Sequence, residues 1–259
     1  MKPMIDIHSH VAWGIDDGMP DIENAAMALD QAKADGITVI ASTPHLIPGY
    51  TQLEDIIERQ KDLKALARQK GIVIRNGAEL FMNRKSIEVI SEGFVRPYEG
   101  TNYQLCEYDL RRPVTELDYI DEPLYELEVK GLVPVIAHVE RYFSKKLDLD
   151  LIEQWHNAGY VIQINRTSIN GAHGKVCQEN AFKILDAGLA HVVATDTHRA
   201  SGSRVEKLSD AWQILADRYG EENADLLLSE NPKAVLKGEK VRNMNISAPK
   251  KKKKKFLFF

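Results

Sequence analysis

Apolar and polar positions along the chain follow two alternating patterns, one short and one long. Seven short runs rich in Val and Ile are almost continuously apolar, which is typical of strands that are covered on both faces. We predict strands at the segments MIDIH, ITVIAST, IVIRNGAE, NYQLCE, VPVIAH, YVIQIN and HVVATD. In the longer stretches between them, apolar residues recur with the spacing of a helix, as they do from Ile22 to Ala32 and from Leu53 to Ala67.

Glycines separate several predicted helices from the strands that follow them. A helix often ends at a residue in the left-handed conformation, which glycine adopts without steric cost. The glycines at such positions are Gly36, Gly71, Gly131, Gly159 and Gly188. At the start of the second helix, Thr51 and Glu54 have the spacing of a capping box.

The repeated order of strand and helix predicts an α/β fold with a parallel sheet. The pattern alone leaves two arrangements open, a closed barrel and an open, doubly wound sheet. In both of them functional side chains gather at the carboxyl ends of the strands. Side chains at those ends are therefore the first candidates for chemistry.

Imidazole and carboxylate groups follow six of the seven predicted strands, and only the sixth, which ends at Asn165 and Arg166, brings none. A single histidine at a strand end is usually an ordinary polar residue, but five of the eight histidines fall at the predicted edge. Carboxylates are rarely buried unless they are paired or bind a metal. We therefore predict a centre for two or three divalent ions. Its candidate ligands are His8, His10, Asp16 or Asp17, His45, Glu79, Glu107, His138, Asp196 and His198.

Several of these segments resemble a known family. The motifs DIHSH, DDG, STPH, GAEL, CEYD, AHVERY and TDTH are similar to those of the PHP (polymerase and histidinol phosphatase) superfamily. They are most similar to its capsule-type bacterial branch of manganese-dependent tyrosine-protein phosphatases, from Met4 to about Pro232. The resemblance implies a distorted seven-stranded β/α (TIM-like) barrel of the PHP type. We expect this domain to occupy residues 1–245 and a lysine-rich, disordered tail to occupy residues 246–259.

The resemblance also implies three divalent ions, with Mn²⁺ first and iron or zinc as alternatives. The first ion would bind His8, His10, Glu107 and Asp196. The second would bind Glu79, Glu107 and His138, with Glu107 shared between the two. The third would bind Asp17, His45 and His198, where spacing from His10 favours Asp17 over Asp16. Met19 departs from the family pattern, because relatives often have proline directly after DDG.

By the same resemblance, Arg141 and Arg204 would contact the phosphate of a substrate, while Asp196 or His198 could donate a proton. The implied activity is hydrolysis of phosphotyrosine on protein. The implied partner is the tyrosine-bearing tail of a bacterial tyrosine autokinase that controls capsular polysaccharide and exopolysaccharide synthesis. Three alternatives stay open: a histidinol-phosphate phosphatase, a PHP-type nuclease, and a barrel that binds metal and a partner protein without catalysis.

Cys106 and Arg112 have the C-x5-R spacing of cysteine-dependent tyrosine phosphatases, but we reject that mechanism. Such a loop binds phosphate through backbone N–H groups and needs small residues. Here Glu107 and Asp109 lie in the loop, and their charges would repel a phosphate. We expect Cys106 to pack as a small apolar residue.

Charge and targeting signals limit the partners and the compartment. The net charge is −4 although residues 250–255 are six lysines, so the rest of the chain is more acidic and does not favour nucleic acid. Two cysteines form no disulfide framework, and the N-terminus has no signal-like apolar stretch. We predict a cytoplasmic protein whose contact with membranes, if any, is made by the lysine-rich tail.

Overall fold

The computed structural model describes residues 1–246, and all but the first residue of the predicted lysine-rich tail lies outside them. The predicted alternation of strands and helices is present in the described residues. The strands are β1 (Met4–Ser9), β2 (Ile37–Ser42), β3 (His45–Leu46), β4 (Val73–Asn76), β5 (Glu79–Met82), β6 (Tyr103–Tyr108), β7 (Val133–Ile136), β8 (Val161–Asn165) and β9 (Val192–Ala194).

These strands form two parallel sheets. One has the order β1-β2-β4 and the other has the order β3-β5-β6-β7-β8-β9. A single parallel bridge between Ser9 and Thr197 joins the first strand of the small sheet to the segment after β9. The prediction of a parallel α/β fold is confirmed, but the expected closed seven-stranded barrel is not found among the described residues.

The strands divide into two sheets at one interrupted strand and at a proline that follows another. The segment IVIRNGAE breaks at Gly77 and Ala78 into β4 and β5, and the N–H of Ala78 bonds to the carbonyl of Arg96 instead of a neighbouring strand. Pro44, which has no N–H to donate, separates β2 from β3. As a result β4 pairs with β2, while β5 pairs with β3 and β6.

Helices and turns connect the strands. The α-helices are α1 (Ile22–Asp35), α2 (Leu53–Lys70), α3 (Ser86–Ser91), α4 (Asp121–Val129), α5 (Leu149–Asn157), α6 (Arg166–Ile169), α7 (Lys175–Asp186), α8 (Ser209–Tyr219), α9 (Glu221–Asp225) and α10 (Asn231–Val235). Short 3₁₀ turns cover Val114–Glu116 and Val139–Tyr142, and a π-helical turn covers Leu226–Glu230. No helix within residues 1–246 combines the length and the apolar character that a membrane crossing requires.

The predicted capping box at the start of α2 does not form. Gln52 is the N-cap residue and makes no side-chain cap bond. The hydroxyl of Thr51 instead accepts the N–H of Ile47 and donates to the carbonyl of His45. Thr51 therefore closes the turn after β3 and does not cap the helix.

Two apolar clusters hold the sheets and helices together. The larger one joins strand residues such as Met4, Leu80 and Ile136 to buried faces of the helices, for example Leu29 and Leu63. The smaller one consists mainly of strand residues, with Tyr98, Val235 and Leu236 packed among them. The apolar stripes predicted for α1 and α2 are buried for the most part, at Ala25, Leu29 and Ala32 and at Ile56, Leu63 and Ala67. Two residues of these stripes, Ile22 and Ile57, are instead exposed.

Gly71 ends α2 in the left-handed conformation, with φ 76°, and its N–H bonds to the carbonyls of Ala67 and Arg68. We expect Gly71→Ala to lower the free energy of unfolding by about 1 kcal/mol, because a Cβ is unfavourable at positive φ. Chemical denaturation measures this. The control is Gln69→Ala, at an exposed position in the same turn, which should not destabilise the protein. Equal midpoints for both variants would contradict the prediction.

Candidate metal centre

The predicted ligands come together where the strands end or break. His8 lies in β1, Glu107 lies in β6, and His138 and Asp196 each follow a strand by two residues. His45 and Glu79 begin the short strands β3 and β5, directly after the two interruptions. The breaks that prevent a regular barrel therefore place an imidazole and a carboxylate at the cluster.

Two of these residues have an unusual backbone. His138 has φ 35° and Asp196 has φ 53°, and they are the two non-glycine residues with positive φ in the described part of the chain. Such conformations are costly for residues with a side chain and concentrate at functional sites. Both residues sit immediately beyond strand ends, so a left-handed turn of the backbone aims each side chain at the cluster.

Glu79 is the centre of the cluster and is fully buried. Its Oε2 atom lies 3.2 Å from a ring nitrogen of each of His8, His10 and His45, and its Oε1 atom lies 3.2 Å from Nε2 of His138. Oε2 nevertheless has no hydrogen-bond partner, and neither does Nδ1 of His45. A buried carboxylate oxygen at ion-pair distance from three imidazoles, without a hydrogen bond to any, suits a site for a cation.

The charges within the cluster agree with this interpretation. Burial opposes ionisation of Glu79, but the imidazoles of His8, His10, His138 and His45 hold the pKa of its carboxyl well below the usual value. Burial also opposes the charged form of His8, yet the carboxylates of Glu79 and Asp196 raise its pKa to about 9. The carboxylates are thus ionised, the form in which they bind metal, and a bound cation would take the place of the proton on the His8 ring.

Four groups of side chains offer ligand atoms within 4.8 Å of one another. They mix imidazole nitrogen with carboxylate oxygen, a donor set that suits manganese, iron or zinc. The groups are His10, Asp17, His45 and His198; His8, His10 and Asp196; His8, Glu79 and His138; and His45, Glu79 and Glu107. All nine predicted ligands belong to at least one group.

The main difference between the geometry and the predicted ligand sets concerns the two glutamates. Glu107 was expected beside His8 and His10, but it is Glu79 that contacts both of them. Glu107 lies 3.0 Å from Nδ1 of His45 and 3.5 Å from Nε2 of His138. Glu79, which belongs to two of the four groups, is therefore the better candidate for a shared ligand.

The two aspartates after β1 have different surroundings. Asp17 Oδ1 lies 3.3 Å from Nε2 of His45 and 3.3 Å from Nε2 of His198, which makes it part of a candidate group. Asp16 Oδ2 instead lies 2.7 Å from Nδ1 of His10 and fixes the orientation of that ring. Met19 is fully buried, and its N–H bonds to the carbonyl of His10, so this departure from the family pattern leaves the loop attached to β1.

Three residues orient the candidate ligands, and sequence reasoning overlooked two of them, Gln163 and Asn165. Besides Asp16, Gln163 Oε1 lies 2.9 Å from Nδ1 of His8 and accepts the N–H of His138. Asn165 donates through Nδ2 to Oδ2 of Asp196 at 2.8 Å. Both belong to β8, the strand that brings no ligand. Two amides at alternate positions of an otherwise apolar strand were the available signal.

Arg141 and Arg204 converge on the carboxylate of Asp196. Nη1 of Arg141 donates to Oδ2 at 3.0 Å, and Nη2 of Arg204 donates to Oδ1 at 2.8 Å. Nη2 of Arg204 also lies 3.2 Å from Nε2 of His198. The two guanidinium groups therefore belong to the cluster and do not form ion pairs elsewhere on the surface.

Two histidines outside the cluster, His156 and His191, and the buried Cys106 have structural surroundings. His156 and His191 stack on each other, and both ring Nε2 atoms contact Oδ1 of Asn243. Cys106 is fully buried among apolar residues, and burial raises the pKa of its thiol. The expectation that Cys106 packs as an apolar residue is thus confirmed, and a thiol held in its protonated form is a poor nucleophile.

The fold and this cluster define a parallel α/β protein with a candidate metal centre at its strand ends. The chain belongs to the CpsB/CapC family, because the family model described as "Capsular polysaccharide synthesis, CpsB/CapC" matches residues 4–237.

Relatives agree with this assignment. The chain is 29% identical over 242 residues to tyrosine-protein phosphatase CpsB of Streptococcus pneumoniae, an alignment that covers 90% of this chain and 98% of the relative. It is also similar to a solved structure from a study of YwqE from Bacillus subtilis and CpsB from Streptococcus pneumoniae, described as metal-dependent tyrosine phosphatases. That match has a TM-score of 0.83 and 26% identity, and it covers 93% of this chain and 97% of the other.

A more distant likeness concerns one of the alternatives. Histidinol phosphate phosphatase of Lactococcus lactis matches with a TM-score of 0.52 and 13% identity, over 86% of this chain and 94% of the other. At that identity the match indicates a common fold and says nothing about a common substrate.

The central position of Glu79 leads to a prediction about metal content. We expect Glu79→Gln to weaken Mn²⁺ binding by about tenfold or more, since loss of a supporting residue alone often costs that much. Glu107→Gln should have a smaller effect, because Glu107 belongs to one candidate group and Glu79 to two. Metal per chain, measured after dialysis against buffered Mn²⁺, tests the order of the two variants.

The matched control for these substitutions is Glu153→Gln at an exposed helical position, which should bind as much Mn²⁺ as the unaltered chain. If Glu107→Gln lost more metal than Glu79→Gln, the central role of Glu79 would be wrong.

Proposed function

We propose that this chain is a metal-dependent protein-tyrosine phosphatase that hydrolyses phosphotyrosine on protein substrates. One observation carries the proposal: in a member of the CpsB/CapC family, a buried imidazole–carboxylate cluster has two guanidinium groups bonded to one of its carboxylates. The alignment of this chain with the relative named tyrosine-protein phosphatase CpsB covers 98% of that relative's length. Imidazole and carboxylate ligands suit the divalent ions, and guanidinium groups suit a phosphate dianion.

Three ions, most readily Mn²⁺, would be held by residues of the four overlapping candidate groups, divided into three ligand sets. His8, His10, Asp196 and Glu79 would hold one, and Glu79, Glu107 and His138 would hold a second. Asp17, His45 and His198 would hold the third. When bound, such ions supply Lewis acidity that activates a water for attack and that neutralises phosphate oxygens.

The chain itself supplies orientation and charge around the phosphate. Gln163 and Asp16 fix the rings of His8 and His10, so these imidazoles do not need to reorganise when a substrate binds. Arg141 and Arg204 already share Asp196, and each guanidinium has further N–H groups to offer to the equatorial oxygens. These donors stabilise the charge that the phosphoryl group carries during in-line displacement.

The leaving group needs little help from a proton donor. Phenolate has a conjugate acid with a pKa near ~10 and leaves more readily than an alkoxide. Burial and the neighbouring His10 lower the pKa of His198 to about 4, so its ring is neutral at neutral pH. Burial opposes ionisation of Asp196, but His8, Arg204 and His198 hold its pKa well below the usual value. Both residues are therefore better suited to binding metal and to holding Arg204 than to donating a proton.

Access to the cluster suits a side chain presented by another protein. Glu79, His8 and His10 are fully buried. Exposure rises toward one side, where the side chains of Arg141, Arg204 and Asp17 are 21%, 28% and 64% exposed. A phosphotyrosine could thus reach the arginines from solvent. We propose the tail of a bacterial tyrosine autokinase for capsular or exopolysaccharide synthesis as the substrate, on the strength of the family.

The decisive assay measures phosphate release from a phosphotyrosine peptide by the Mn²⁺-loaded chain. We expect turnover that chelation abolishes and that added Mn²⁺ restores, because the ions would supply the Lewis acidity that activates water, which imidazole and guanidinium groups do not supply. Histidinol phosphate, tested at the same concentration, should be hydrolysed more slowly.

Cys106→Ser is the matched test of the cysteine-dependent alternative, and we expect it to keep most of the activity. Activity that survives complete removal of divalent ions but is lost in Cys106→Ser would refute the proposal. Preferential turnover of histidinol phosphate would instead favour the small-molecule alternative.

The division of the chain gives a further prediction. We propose that residues 1–245 contain the whole catalytic domain, since every candidate ligand and both arginines lie within them. A chain that lacks residues 250–259 should keep the activity and the melting temperature of the full chain. If the six lysines contact membranes, the same shortened chain should lose binding to anionic vesicles. Binding that persists without those residues would exclude the tail as the membrane contact.

A further inference from the structure

Arg204 is carried by a segment without helix or strand, residues 199–208, which joins the end of β9 to α8. Such a segment has no ladder of backbone bonds to fix it, so its position depends on individual hydrogen bonds. The carbonyl of Arg204 accepts the N–H groups of His198 and Arg199, both at 3.1 Å. These two bonds join the segment to itself and to the residue just before it, so they do not attach the segment to the sheet.

A buried guanidinium attaches the segment next to Arg204. Arg166, which begins α6 directly after β8, is 6% exposed. Its Nη1 donates to the carbonyl of Ser203 at 2.7 Å. Its other two donors, Nε and Nη2, bind the two carboxylate oxygens of Asp210 at 2.8 and 2.6 Å.

This arrangement joins three elements at one point. Asp210 lies in the first turn of α8 and also accepts from Nδ2 of Asn170 at 3.1 Å. The planar guanidinium of Arg166 thus spans the end of β8, the backbone beside Arg204 and the start of α8. A forked, charge-assisted pair of this kind is rigid and directional, and lysine cannot reproduce it.

We infer that Arg166 and Asp210 are positioning residues that hold Arg204 on the phosphate of the substrate. The inference rests on the proposed phosphate contact of Arg204. Neither residue of the pair bonds to a candidate metal ligand in the described part of the chain. Their effect would therefore pass through the backbone at Ser203, one residue from Arg204.

The test measures inhibition of the Mn²⁺-loaded chain by inorganic phosphate, together with KM for a phosphotyrosine peptide. Arg204→Ala should weaken phosphate binding by about tenfold, the size expected for losing a charge-assisted hydrogen bond. Arg166→Lys keeps the charge but loses the fork, and it should weaken phosphate binding by about fivefold. Asp210→Asn should act in the same direction, and metal content per chain should stay unchanged in all three variants.

A double-mutant cycle separates positioning from a general structural effect. In the Arg204→Ala background, Arg166→Lys should have no further effect on phosphate inhibition, because the group that it positions is absent. The matched control is Arg218→Lys, which breaks a forked pair with Asp186 on the exposed surface and should leave phosphate inhibition unchanged.

Four outcomes would overturn the inference. Additive losses in the double variant would mean that Arg166 does not act through Arg204. Metal loss in Arg166→Lys that parallels the loss of phosphate binding would place the effect at the metal centre. If Arg204→Ala itself left phosphate inhibition unchanged, the proposed role of Arg204 would be wrong. If Arg204→Ala weakened inhibition but Arg166→Lys did not, the fault would lie with the positioning pair alone.

Discussion

The buried carboxylate of Glu79 is the constraint around which the rest of the site is arranged. A negative charge without access to water is very unfavourable unless positive groups surround it. Four histidines from three strand ends or breaks, two of them from the end of β1, meet this requirement at 3.2 Å. Once Glu79 is fixed, the positions of β1, β3 and β7 relative to β5 follow, because each must bring its imidazole to the same carboxylate.

The sequence was sufficient for the chemistry of the site but not for the topology of the sheet. The rule that parallel strands present their functional groups at their carboxyl ends predicted that the candidate ligands would lie close together, and they do. His45 and Glu79 nevertheless begin β3 and β5 in place of following a strand end. The same apolar run that predicted one strand from Ile72 to Glu79 contains the break at Gly77 and Ala78. A continuous apolar run indicates that a strand is buried. It does not indicate which neighbouring strand accepts each backbone N–H, so the sequence could not predict the two-sheet arrangement.

Within the site, the limits of prediction have a physical cause as well. Side-chain type and spacing separate candidate ligands from other residues, and they favoured Asp17 over Asp16. They do not reveal which carboxylate contacts both His8 and His10, since Glu79 and Glu107 both lie in strands. Gln163 and Asn165 were overlooked because their role is to hold other side chains, which depends on contacts across β7, β8 and β9.

The left-handed backbone at His138 and Asp196 means that, at these two residues, the conformation that suits the cluster is one that costs folding free energy. Each residue needs a side chain for the cluster, yet each occupies a conformation that a residue with a side chain disfavours. A glycine at either place would relax the main chain and remove a candidate ligand in one step. Selection for thermal robustness alone would thus tend to erode these two positions, so their retention would record selection for turnover.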